Sequence, residues 1–316
     1  MSPNPTRETP AGRAYNDLRN LAKAQGRDPA EYLALYALEG FLTRLAASEQ
    51  GEDFVLKGGV LLAAFAARRP TRDIDLAASG FPNDVNDVER RVREILAIDV
   101  VDGLEFDAAK LRSETIRDEA DYTGVRVHLV ATVSNARIPI HVDVNFGDPI
   151  WPAPQETTVP LLLGGEVELK GYPAHMVLAE KIVTAIDRGV ANTRWRDFVD
   201  IASISRTQVI DGAQLVASSR VVSDHRHVEL RTLDESLAGM GVIAQSHWSA
   251  WRRKQRLAGS TPERFQLLLD EVMGFADPVL GDQGRRSVWQ PSLRGWTQEP
   301  EVAADVDGGE GDRARA

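Results

Sequence analysis

The sequence contains no cysteine. That excludes disulfides, thiol nucleophiles, iron–sulfur clusters and thiolate zinc sites together, so any metal must be held by oxygen or imidazole. Long apolar runs are missing too. The longest, Val60 to Ala67, falls far short of the roughly 20 residues that cross a bilayer. The opening Met1-Ser-Pro-Asn-Pro-Thr-Arg-Glu-Thr-Pro10 has no apolar secretory segment, so the expectation is a cytoplasmic protein that touches no membrane. Basic charge is in deficit, with 37 Lys and Arg against 47 Asp and Glu for a net charge of −10. Non-specific coating of DNA, which depends on neutralising phosphates, is disfavoured. A local basic groove is still compatible with that balance.

What is present is ordinary globular composition: 316 residues, 43% hydrophobic and 27% charged. That is chain enough for one large domain or two modest ones. Residues 1–12, rich in Pro and Thr, and the acidic tail 297–316 are expected to be disordered. The tail holds six acids and two arginines, four of the ten excess negative charges. Between the ends, strand patterning fades after Tyr172. The division expected is 13–172, a catalytic α/β half with N-terminal helices, and 173–296, a helical half.

Apolar spacing predicts two helices across 13–47, where Tyr32, Leu33, Leu35, Tyr36, Leu38, Phe41, Leu42 and Leu45 recur with helical period. Residues 54–56 read as a short strand stopped by Gly58-Gly59, 60–67 as a helix, 73–76 as a half-buried strand and 81–97 as a helix. Residues 124–134 and 138–146 read as a hairpin joined by Asn-Ala-Arg, and 161–169 as a further edge pair. Helices are then expected over 175–188, 195–205, 208–218, 234–257 and 262–275. The fold class is α+β: a mixed sheet with flanking helices, followed by an α-helical domain.

Three acids stand on the expected strands. In Asp73-Ile74-Asp75-Leu76 the period of two puts both carboxylates on one face, with Cα atoms about 6.6 Å apart. On the later strand Ile138, Ile140, Val142, Val144 and Phe146 take one face, and His141, Asp143 and Asn145 the other. If the strands are neighbours, Asp143 joins Asp73 and Asp75. Each close pair of carboxylates repels by about 4 kcal/mol near 4 Å at an effective dielectric of 20, so the set stays ionised only around a cation. Hard oxygen ligands select Mg²⁺ or Mn²⁺. Upstream, Lys57-Gly58-Gly59 lies where a strand gives way to a helix, where bare backbone and free N–H groups receive phosphate. Cradle and acids together fit a nucleoside triphosphate.

Phe54-Val-Leu-Lys-Gly-Gly59, followed by Arg69-Pro-Thr-Arg-Asp-Ile-Asp-Leu76, resembles the signature of the polymerase-β-type nucleotidyltransferase superfamily. With Leu178-Ala-Glu-Lys181 and Arg188-Gly-Val-Ala-Asn-Thr-Arg-Trp-Arg-Asp197-Phe-Val-Asp200, the chain is similar to the AbiEii/AbiGii toxins of type IV toxin–antitoxin systems. The resemblance covers residues 30–205. It implies a polymerase-β-like fold and Asp73, Asp75 and Asp143 as catalytic, metal-binding acids, with Asp148 a rival for the third. It also implies catalytic Lys181 and Asp197, and a nucleotide site of Lys57, Gly58, Gly59, Thr71, Arg72, Lys181, Arg194 and Arg196. The partners implied are a nucleoside triphosphate, an RNA acceptor, foremost the tRNA 3′ end, and a cognate AbiEi-type antitoxin. In some members a Ser or Thr at the place of Thr71 is phosphorylated when the toxin is silenced.

The residues themselves leave other readings open. Lys181, Ala185 and Arg188 share one helical stripe, and Arg194 and Asp197 have the spacing of a simple intrahelical pair. Trp251-Arg-Arg-Lys-Gln-Arg256 has the makings of an RNA grip or of an exposed helix end. Trp289 and Trp296 are expected to pin the chain end. A haloacid-dehalogenase phosphatase or a sugar-nucleotide glycosyltransferase also uses Asp-x-Asp, but the flanking residues fit neither. Transfer to a small-molecule or protein hydroxyl, and a non-catalytic nucleotide-binding module, remain alternatives.

Overall fold

Thr9 caps the first helix, its side chain accepting from the Gly12 N–H, and α1 runs Pro10–Ala24, beginning three residues before the expected start. The computed structural model describes residues 5–117, 123–281 and 286–298. Of the expected disordered ends, 1–4 and 299–316 lie outside the described residues. After α1 comes α2 (Pro29–Ala46), capped by Asp28 and buried along most of its length. β1 (Phe54–Lys57) leads into α3 (Gly58–Leu61), a single turn rather than the expected helix to residue 67. From Ala63 to Ala66 the backbone N–H groups bond three residues back, and Ala66 takes a positive φ of 56°, which ends the coil.

β2 (Asp73–Ala78) and α4 (Val85–Leu96) follow. Asp84 caps α4, accepting from the Asp87 N–H, so the helix starts four residues later than its apolar pattern indicates. Two strands carry too little pattern to be read from sequence: β3 (Leu104–Phe106) and β4 (Arg112–Arg117). The hairpin is β5 (Thr123–Val133) and β6 (Ala136–Asn145). It turns on Ser134 and Asn135, Ser134 at φ 54°, rather than on Asn-Ala-Arg. The further pair is β7 (Gln155–Pro160) with β8 (Glu166–Gly171); residues 161–165 are its turn.

These strands form one eight-stranded sheet in the order β3-β5-β6-β2-β1-β8-β7, with β4 also paired to β5. β2 runs parallel to β6, and β1 parallel to β8. One face is apolar to the last atom: Ile74, Leu76, Ile140, Val142 and Val144 are all fully buried. The opposite face of β2 and β6 is left to the acids.

The helical part comprises α5 (Ala174–Arg188), α6 (Trp195–Thr207), α7 (Gly212–Arg226), α8 (Leu233–Ser236), α9 (Met240–Ile243), α10 (Gln245–Lys254) and α11 (Phe265–Leu280). The single helix expected over 234–257 is three pieces, because Gly239 adopts φ 79° between α8 and α9. β9 (Ile210–Asp211), β10 (Ser287–Gln290) and β11 (Gly295–Gln298) make a small antiparallel sheet that sequence patterning missed. Trp289 and Trp296 pair across it and donate from Nε1 to the carbonyls of Ser205 and Phe275, fastening the chain to α6 and α11. One continuous apolar core runs from α1 through the large sheet to α11. Among the described residues no helix is long and apolar enough to cross a membrane.

Candidate active site

Parallel pairing of β2 with β6 sets Asp73 opposite His141 and Asp75 opposite Asp143. The three expected acids therefore share one face of two adjacent strands. β1 lies on the other side of β2, with Lys57 opposite Asp75. The chain leaves β1 through Gly58 at φ 68°, and a Cβ built there would sit 1.9 Å from Asp75 Oδ2. No side chain fits between that backbone and the Asp75 carboxylate, which explains the glycine. At Gly59 a Cβ would stand 3.0 Å from Arg69 Nη1 and 3.1 Å from Thr71 Oγ1. Since α3 is one turn, few peptide dipoles add up there, and the cradle rests on bare glycine backbone more than on a helix end.

A cavity of about 710 Å³ opens over this face, walled by the β1–β2 segment, β5, β6, α5, the start of α6, Arg226 of α7 and Trp251 of α10. Of the expected site residues, Lys57, Gly58, Gly59, Asp73, Asp75, Asp143, Lys181, Arg194, Arg196 and Asp197 all line it. Thr71 lies beneath the surface, 5% exposed, its hydroxyl donating to Asp73 Oδ1. Arg72 is exposed and outside the cavity lining.

Most cavity charges are already matched. Lys57 Nζ lies 2.6 Å from Asp148 Oδ2 and 3.5 Å from Glu180 Oε1, and 5.4 Å above the Tyr172 ring. Burial would lower its pKa, but Glu180, Tyr172 and Asp148 outweigh that and hold the ammonium charged. Lys181 reaches Asp197 at 2.7 Å and Asp200 at 2.8 Å, rather than its sequence neighbours Glu180 or Asp187. Asp200, 2% exposed, also takes the fork of Arg69, Nε to Oδ1 at 2.8 Å and Nη2 to Oδ2 at 3.1 Å. Burial opposes the Asp200 charge, and Lys181 and Arg69 overcome it, so its pKa falls below the usual carboxylate range. Arg194 keeps its expected pairing with Asp197, at 3.4 Å.

Asp143 is held bidentately by Arg126, its cross-strand neighbour on β5, at 2.8 and 2.6 Å. Sequence reasoning missed Arg126, Arg69 and Glu180, and it weighed Asp148 only as a metal ligand. Arg69 stands inside the quoted motif; the signal for Arg126 is its place across the hairpin.

Two groups of charge stay unmatched. Asp73 and Asp75 have no ion-pair partner among the described residues. Burial first, then Asp73 and Asp143, push the Asp75 carboxyl up to about 6. On the cationic side, Arg196 has no ion pair among the described residues, and Arg226 has only the Thr184 hydroxyl, at 2.8 Å. Burial and the nearby Arg69 charge lower the Arg196 pKa, against the opposing pull of Asp73, Asp200 and Asp197.

The donors fit a divalent cation, with one correction. Asp73 and Asp75 offer hard oxygens on one face, and the Asp75 carboxylate packs directly against the bare Gly58 backbone. Among the described residues, however, no three acid or imidazole side chains converge as a ready metal cluster. The third acid, Asp143, has both carboxylate oxygens taken by Arg126.

Residues 40–271 match the family model described as nucleotidyl transferase AbiEii toxin of type IV toxin–antitoxin systems. No curated protein matches the chain. Among solved structures, a protein from H. pylori assigned as a nucleotidyltransferase aligns at 11% identity and TM-score 0.41, over 74% of this chain and 92% of its own. JHP933 from Helicobacter pylori aligns at 13% identity and TM-score 0.31, over 70% and 93%. Likeness at this level says nothing about chemistry.

Proposed function

Because the chain belongs to the AbiEii nucleotidyltransferase toxin family, we propose that it moves a nucleotidyl group from a nucleoside triphosphate, with Mg²⁺ or Mn²⁺, to an RNA acceptor. That acceptor is the tRNA 3′ end, whose extension would block translation. A cognate AbiEi-type antitoxin is the expected partner.

The observation that carries this reading is the division of unmatched charge. Among the described residues, two carboxylates without an ion pair, Asp73 and Asp75, share one cavity with two cations lacking carboxylate partners, Arg196 and Arg226. A metal–triphosphate is the complement of that pattern, cation toward the acids and phosphates toward the arginines. Bare backbone at Gly58 and Gly59 adds to the phosphate side.

In the transfer, the acceptor oxygen bonds to the α-phosphorus while the bond from that phosphorus to the α,β-bridging oxygen breaks. Pyrophosphate leaves with the electron pair, and the acceptor proton passes to Asp143 once Arg126 has released it. Asp73 and Asp75 would hold the divalent ion, which supplies positive charge against the building negative charge of the transferring group. Lys181, bridging Asp197 and Asp200, fixes Asp200 and through it Arg69. Lys57 restrains Asp148 and Glu180.

The test is incubation of pure protein with Mg²⁺, total RNA and each α-labelled nucleoside triphosphate in turn. Label in a tRNA-sized band supports the reading. Label only on small molecules or protein overturns the RNA acceptor, and label on nothing overturns transfer.

A further inference from the structure

We propose that Trp251 is a stacking platform for the terminal base of a single-stranded RNA acceptor, placed at the mouth of the transfer cavity. The proposal rests on the RNA-acceptor reading above. Trp251 lines the cavity that contains Gly59 and Asp75, although it comes from α10, far along the chain from both. It is half-buried, so part of a large apolar ring is left open beside a highly charged space. Stacking a base is what such a ring does in that setting.

The ring is held from behind. It stacks on the fully buried Trp248 with centroids 5.4 Å apart and planes at 26°, and Trp248 lies 5.1 Å from Phe265 at 32°. Phe265 meets Trp195, another cavity residue, edge-on at 5.2 Å. The helix is fixed at its far end too. Arg27, just before α2, donates to the carbonyls of Gln255 and Arg256, and Arg252 donates to those of Ala258 and Thr261. A rigid aromatic binds a base with little ordering cost.

The placement of the remaining charge separates acceptor from nucleotide. Arg252 is committed to backbone carbonyls, but Arg253, Lys254 and Arg256 are exposed and stand outside the cavity lining. A single nucleotide whose phosphates sit on Gly58 and Gly59 has none left to place on that run. A polyanionic strand ending on Trp251 uses both, its terminal base on the ring and its upstream phosphates on the cations.

The test compares the full-length chain with Trp251→Ala and Trp251→Phe. Affinity for a short single-stranded oligoribonucleotide is read without triphosphate, from quenching of tryptophan fluorescence and from anisotropy of an end-labelled strand. Affinity for a labelled triphosphate with Mg²⁺ is read separately. The expected result is at least a tenfold loss of oligonucleotide affinity in Trp251→Ala, a much smaller loss in Trp251→Phe, and triphosphate affinity unaltered in both. Part of the wild-type quench should vanish in Trp251→Phe, which checks the contact in a chain that keeps a ring. Equal oligonucleotide affinity in all three chains overturns the platform, and so does a parallel loss of triphosphate affinity. Because strand binding is measured without turnover, failure of the platform is distinguishable from failure of nucleotidyl transfer to RNA.

Discussion

One carboxylate, that of Asp200, holds Lys181 and Arg69 together: Lys181 Nζ lies 2.8 Å from Oδ2, and Arg69 forks onto both oxygens. Asp200 is 2% exposed, so removing it strands two cations in a dry place. Asp200→Ala should cost about 3–5 kcal/mol of stability, measured by urea unfolding, and should abolish transfer. Asp197→Asn leaves Asp200 in place and should cost clearly less stability.

Gly58 is a second point of no tolerance. Gly58→Ala would place a Cβ 1.9 Å from Asp75 Oδ2 at a backbone φ of 68°. Transfer should fall by two orders of magnitude or more while far-ultraviolet circular dichroism stays native. Normal turnover in this variant would show that the Asp75 carboxylate has no fixed place.

Asp75 gives a pH dependence with a definite sign. Its folded pKa is raised from 3.8 to about 6, chiefly by burial and by Asp73. The protonated form is thus favoured by the fold, a contribution present below about pH 4 and lost as pH rises through 6. A divalent cation must displace that proton when the pH is below 6. Thermal stabilisation by Mg²⁺ should therefore be larger at pH 7.5 than at pH 5.5, and Asp75→Asn should remove the difference.

Arg126 and Asp143 supply a fourth prediction. Asp143 is only 6% exposed, so Arg126→Ala leaves it buried without its partner, and the metal-free variant should be less stable by a few kcal/mol. With the third acid freed beside Asp73 and Asp75, the variant should gain more stability from Mg²⁺ than the wild type does. Differential scanning fluorimetry across a Mg²⁺ titration reads both effects.

The acids were legible in sequence because a strand has period two: Asp73 and Asp75 fall on one face of their strand and Asp143 on the polar face of its own, the pairing of β2 with β6 brings the two together, and the Gly58-Gly59 break marks the turn beside them. Partnership was not legible. Which cation faces Asp143 depends on hairpin register. A turn of Asn135-Ala136-Arg137 would have set Leu129 there, whereas the actual turn at Ser134-Asn135 sets Arg126. Lys181 ignores its helical neighbours because burial against α6 brings Asp200 within reach. Short elements escaped for a related reason. β3, with three residues, and β9, with two, are too brief to show a period and exist through their pairing with β5 and β10. The long helix expected over 234–257 failed at Gly239, where one residue at positive φ outweighs the surrounding apolar spacing.

The most direct measurement of the central claim is transfer of α-labelled nucleotide to tRNA by wild type and by Asp75→Asn, side by side, in Mg²⁺ and in EDTA. Label should appear on tRNA with wild type in Mg²⁺, not in EDTA, and not with Asp75→Asn although that chain melts as cooperatively as wild type. Equal labelling by Asp75→Asn, or by wild type in EDTA, would contradict the claim.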